Sequence, residues 1–251
     1  MLLEGRTAII YGGGGSIGGA VGRAFAREGA TVHLTGRTAE TLEAVAGAIR
    51  AGGGSAETAV VDALDEAAVD AHADAVAASS GGIDVSLNVI QHGDVQGTAL
   101  AEMSVADLEA PVVNGLRTNF ITTRAAARHM IPQGSGVLLF FGGYGDPMPG
   151  YDLGGLQIAF QAIEALRRQL ASELGKYGIR ALTLQTAGIL ESITEDFPGK
   201  DEVIEMTESS TMLGRAATLE DVGNVAVFAA SDLSRSMTAT ALNITCGTEV
   251  D

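Results

Sequence analysis

The sequence predicts an α/β fold: a single domain built on a doubly wound parallel sheet of about seven strands, flanked by helices. Three observations predict it. The chain has 251 residues and 46% hydrophobic content, enough to bury a sizeable core within one domain. Short β-branched runs alternate with longer patterns of helical period, and strands spaced by helices call for right-handed crossovers and parallel pairing. A glycine-rich turn then joins the first strand to the first helix, where close backbone approach is needed.

The strand-like runs are TAIIY (7–11), TVHLT (31–35), TAVV (58–61), DVSLNVI (84–90), GVLLFF (136–141), IRALTLQ (179–185) and TALNIT (240–245). Between the first two, Ile17, Ala20, Val21, Ala24 and Phe25 recur at helical spacing, and EGA closes the helix. A long helix is expected from about 155 to 174. Ile158, Ala162, Ala165, Leu166, Leu170 and Leu174 form its apolar stripe, while Arg167, Arg168 and Glu173 fall off it. The two arginines therefore read as a solvated or subunit-contact face. The segment 190–212 mixes acidic residues with a Pro-Gly pair, and it reads either as a substrate lid or as a decorative insertion.

The formal charge of −16 and an isoelectric point near 4.5 oppose binding to nucleic acid or to anionic membrane surfaces, because the summed field repels phosphate. The N-terminal residues lack a charged segment followed by a long apolar run, and no window is long and apolar enough to span a bilayer. A soluble, cytoplasmic protein is expected. Cys246, the only cysteine, reads as a small buried hydrophobe. His33, His72 and His129 show no ligand spacing with carboxylates, so no metal is expected.

YGGGGSIGGAVGRAF follows the first strand and opens the first helix, the context that gives a glycine motif its meaning and makes the fold Rossmann-type. Gly13-x-Gly15-x-x-Gly18 fits one dinucleotide-binding register and Gly12-x-x-x-Ser16-x-Gly18 another; the four-glycine run leaves both open. In either, helix amides around Gly12, Gly15, Ser16, Ile17 and Gly18 face a pyrophosphate. The second strand ends LTGRT, with Arg37 where a carboxylate would serve the ribose hydroxyl of NAD. A guanidinium there suits a 2′-phosphate, so NADP (NADPH) is the expected cofactor.

These segments resemble the short-chain dehydrogenase/reductase family from about residue 5 to the C-terminus. VVDALDE is similar to the family segment whose Asp caps the adenine amino group, which implies Asp62 with Ala63 beside it. DVSLNVIQ sits where the family has Asn-Asn-Ala-Gly and keeps its first Asn as Asn88. MLGRAATLEDVGNVAVFAASDLSRSMTATALNITCG is similar to the family's last helix and strand. The resemblance also implies that Gly188 and Ile189 contact the nicotinamide face, and that the protein is a homotetramer or homodimer built on its long helices and last strand.

At the family's catalytic positions the chain departs from the pattern. The alignment places Gly115, Gly143, Leu156 and Phe160 where the family has Asn, Ser, Tyr and Lys, with Asn114 at the Asn position in a register one residue away. Leucine and phenylalanine cannot transfer a proton, so the family's usual proton route is not available. Among polar residues after strands four to six, Tyr151 is the best-placed replacement donor, against the plainer reading of a loop tyrosine packed on the long helix. His92 reads as a surface or capping residue and Asp152 as the cap of the long helix, while the resemblance implies that Ser192 lies near the cofactor amide, with a plain structural turn as the equal alternative. The expected function is an atypical NADP-dependent oxidoreductase acting on a small, apolar carbonyl, imine or activated alkene. The rivals are a non-redox isomerase, lyase or cyclase, and a catalytically inactive binding or scaffold subunit.

Overall fold

A computed structural model describes residues 1–147, 151–193 and 200–250. Its seven strands are β1 Thr7–Tyr11, β2 Thr31–Gly36, β3 Ser55–Val60, β4 Val85–Asn88, β5 Gly136–Gly142, β6 Ile179–Thr186 and β7 Thr240–Ile244. They form one parallel sheet in the order β3-β2-β1-β4-β5-β6-β7. The chain thus winds outward from β1 in one direction and then from β4 in the other. The crevice between the C-terminal ends of β1 and β4 is the topological switch point, where open α/β sheets bind their ligands.

Period-two alternation assigns the strand side chains to two cores. Ala8 and Ile10 of β1, with Val137 and Leu139 of β5, face one core. Ile9 and Tyr11, with Leu138 and Phe140, face the other. The first core is covered by α1 Ser16–Arg27, α2 Ala39–Ala51 and α7 Leu219–Ala230; the second by α3 Glu66–Ser80, α4 Val105–Gln133 and α5 Gly155–Leu174. Phe25 of α1 is fully buried in the first core, a side chain whose burial contributes about 1.5–3 kcal/mol. Helix starts follow the sequence chemistry: Asp65 accepts from Ala68 N at the head of α3, Ser104 from Asp107 N at α4, and Thr218 and Asp221 form a reciprocal capping box on α7.

Three sequence expectations are corrected here. The buried face of α5 is Gly155, Ala159, Ile163, Arg167, Ala171 and Leu174, whereas Ile158 and Ala165 of the expected stripe are exposed. The helix is apolar over much of its circumference, and the face with the smallest side chains wins because α4 approaches closely: a Cβ on Gly155 would stand 2.8 Å from Pro111 Cγ. Arg167 is accordingly 3% exposed and ion-paired with Glu164, not a solvated cation. Asp152 does not cap α5. The N-cap is Gly154 without a side-chain bond, and Asp152 is exposed at φ +45° with its carbonyl accepting from Gly97 N.

Elsewhere the differences are smaller. β3 begins before the expected run because SAETAV is an exposed edge strand with no continuous apolar stretch to mark it. Cys246 is half-buried against the first core rather than enclosed. Within 190–212 the structure has the helix α6 Lys200–Ser209 and a short turn at Leu190–Ser192; residues 194–199 of that segment lie outside the described residues. Among the described residues, no helix is long and apolar enough to cross a membrane.

Candidate active site

A cleft of about 760 Å³ opens at the switch point. Its floor is the glycine turn after β1. Gly12 has φ +87°, and a Cβ there would stand 2.9 Å from the Val89 carbonyl oxygen; a Cβ on Gly18 would collide with the Gly12 carbonyl. Side chains would fill this cradle, so bare backbone is what lets a ligand approach the head of α1. Gly12 N and Gly13 N both donate to Thr35 O, which ties the turn to β2. α1 starts at Ser16 without a side-chain cap. Its first amides are left for a ligand or solvent, and Gly12, Gly15, Ser16, Ile17 and Gly18 all line the cleft.

Arg37, Asp62 and Ala63 line the other end, after β2 and β3. Arg37 is exposed and has no hydrogen bond or ion pair among the described residues. Asp62 is exposed, one oxygen accepting from Leu64 N at 3.0 Å. Asn88 is a buried tie, its amide donating to Thr122 Oγ1 at 3.2 Å while its oxygen accepts from Ile90 N at 3.0 Å. It does not line the cleft. Nor do Gly188 and Ile189, of which Ile189 is packed in the first core; Ser192 does, its hydroxyl donating to Ile189 O at 2.6 Å.

The end away from Arg37 is walled by Leu156 and Phe160 of α5, Phe141 of β5, Asn114 and Thr118 of α4, and the segment after β4. The Phe160 ring lies against Gly142, which ends β5, and Gly143 just after it: a Cβ on Gly142 would be 2.8 Å from Cδ1, and one on Gly143 3.0 Å from Cε2. On the opposite side Gly115 makes room for His92, since a Cβ there would be 3.2 Å from the imidazole Cγ. The two rings meet edge to face, centroids 6.0 Å apart. His92 is 7% exposed, which corrects its reading as a surface residue; burial lowers its pKa, the charge of Asp94 opposing part of that shift. Asn114 Nδ2 donates to the His92 carbonyl at 3.2 Å.

Tyr151 is half-buried and stands outside the cleft lining. Tyr144 points toward the end of the sheet, its hydroxyl accepting from Asn243 Nδ2 at 2.8 Å. The sequence reading passed over Phe141, Gln96 and Thr118, which also line the cleft. Asn114 and Thr118 are four apart on α4, the spacing that places two polar groups on one helix face. One turn below Phe160, Glu164 is ion-paired to Arg167 at 2.5 Å and accepts from the Thr183 hydroxyl.

A family model described as enoyl-(acyl carrier protein) reductase matches residues 13–249. A short-chain dehydrogenase/reductase of Serratia marcescens superposes with a TM-score of 0.89 at 25% identity, each chain covered in full. The chain belongs to the short-chain dehydrogenase/reductase family. Its similarity to curated members of this family extends over the whole length. Gluconate 5-dehydrogenase of Gluconobacter oxydans is 27% identical over 99% of this chain and 96% of its own. An uncharacterized oxidoreductase of Mycobacterium bovis is 30% identical over 98% of both.

Proposed function

We propose that this short-chain dehydrogenase/reductase is an NADP(H)-dependent oxidoreductase with a nonstandard proton route. The observation that carries the reading is the glycine cradle at the head of α1, open to the same cleft as an unpaired Arg37. Amides of Gly15, Ser16, Ile17 and Gly18 suit a pyrophosphate, Arg37 a 2′-phosphate, and Asp62 with Ala63 an adenine. Bound there, the nicotinamide would accept or supply the hydride.

The chain's own residues position and exclude. Leu156, Phe160 and Phe141 give the reaction end apolar walls that keep water away and favour a small, largely apolar substrate. The relatives named as dehydrogenases of gluconate, borneol and threitol support a hydroxyl compound or its carbonyl product as that substrate. A homodimer or homotetramer is proposed through α4 and α5, where Val113, Leu116, Phe120 and Ile158 are exposed. A cytoplasmic location and a lid function for 190–212 complete the reading.

Titration of the purified protein with NADPH and with NADH, followed by calorimetry, tests the cofactor assignment. Preferential NADPH binding is expected. Binding of neither nucleotide would overturn the redox reading and turn the search to non-redox substrates.

A further inference from the structure

We propose that His92 is the proton-transfer group of this cleft and acts as the base in the oxidation of a secondary alcohol. The inference rests on the nicotinamide-dependent reading above and names the residue that completes it. Of the described residues lining the cleft, four carry ionisable side chains, Arg37, Asp62, His92 and Asp94. The first two belong to the end remote from Leu156 and Phe160. Asp94 is engaged by Gln96 Nε2 at 2.6 Å. His92 is the one that meets Phe160.

Its seat is specific on three sides. Gly115 leaves the space the imidazole occupies, Asn114 holds its backbone carbonyl, and the Phe160 edge supports the ring. Neither ring nitrogen has a hydrogen-bond partner among the described residues, and neither is sealed from solvent. An imidazole fixed by packing, with free nitrogens at an open cleft, is available to a substrate hydroxyl. The charged group acting on it is Asp94, on its own segment. Facing it from α4 are the neutral Asn114 and Gly115, and from α5 the neutral Phe160.

Burial outweighs the Asp94 charge and keeps the imidazole neutral at pH 7, the form that accepts a proton. In the oxidation, the carbinol C–H bond breaks and its electron pair leaves with the hydrogen, as hydride, to the oxidised nicotinamide. The O–H bond breaks as a His92 nitrogen takes the proton, and the C=O double bond forms. The imidazolium then returns its proton to water.

The test joins NMR with kinetics on the full chain. Histidine ring resonances, assigned with single His→Gln variants, are followed across pH with and without NADP⁺. Oxidation of a panel of small secondary alcohols is measured for the parent and His92→Gln. Added NADP⁺ is expected to shift the His92 resonances and leave those of His33, His72 and His129 in place. The kcat for oxidation should rise with pH through the His92 midpoint. His92→Gln should lower kcat about 100-fold or more, remove that limb, keep NADP⁺ affinity, and recover in part with added imidazole. A purely structural role would move neither the limb nor the rescue.

Unshifted His92 resonances with NADP⁺ bound, or a His92→Gln protein that keeps kcat and the limb, would overturn the proposal alone. So would a parent protein that binds NADP⁺ and oxidises no alcohol of the panel. Failure of the parent to bind NADP⁺ would overturn the underlying reading and this inference with it.

Discussion

The Phe160 ring fills the space that a side chain on Gly142 would claim, with a Cβ there only 2.8 Å from Phe160 Cδ1. Gly142 at the end of β5 and the aromatic ring on α5 are therefore one packing unit, and neither can change alone. Gly142→Ala is expected to cost about 1–3 kcal/mol by overpacking. In a Phe160→Ala background the added methyl has room, so a double-mutant cycle read by chemical denaturation should show a coupling above about 0.5 kcal/mol. Additive costs would show that the ring moves aside freely.

Arg37 is exposed and unpaired at the end of β2, so replacing it disturbs no internal contact. Arg37→Ala should weaken NADPH binding by about 10- to 100-fold, the size of one charge-assisted phosphate contact, and leave NADH binding unchanged. Calorimetry at two ionic strengths checks this. The parent's preference for NADPH should shrink at high salt, and the variant's should not.

The buried Arg167 pairs with the partly buried Glu164, which Thr183 supports, and one guanidinium nitrogen of Arg167 is buried without a partner. Arg167→Met leaves the partly buried Glu164 carboxylate without its counter-charge and should destabilise by about 3 kcal/mol, the low end of the cost for a fully buried pair. Glu164→Leu together with Arg167→Met removes both charges and should recover most of that loss. Thermal unfolding of the two variants distinguishes a stabilising pair from one that merely tolerates burial.

His72 sets part of the acid response. Burial, with the nearby His33, depresses its pKa from 6.5 to about 4, and His33 is shifted the same way by burial. Between those values the unfolded chain takes up a proton that the folded chain refuses. Stability should therefore be full above about pH 6.5 and fall toward pH 4, by an amount on the order of 2 kcal/mol. His72→Leu should flatten the pH dependence of the melting temperature over that window. At pH 7 it should cost little, because His72 Nδ1 is buried without a hydrogen bond.

Composition and period sufficed for the strand count, the parallel sheet and the glycine cradle, because alternation, helical spacing and the demand for bare backbone at Gly12 and Gly18 are local properties. Arg37 directly follows β2 and lines the crevice, while Asp62 and Ala63, which the family resemblance implied, line it just beyond the end of β3. Leu156 and Phe160, which the family resemblance aligned with the usual Tyr and Lys, both line the cleft.

What only the tertiary structure decided is which polar groups meet. His92 read as a surface or capping residue until Gly115, far along α4, proved to leave the space for its ring; Arg167 looked solvated until the small-residue face of α5 turned inward against α4. Tyr151, chosen by its place in the chain, does not reach the cleft lining. Each of these outcomes depends on complementary volumes between elements distant in sequence, and no local pattern encodes the gap that one helix leaves for another's side chain.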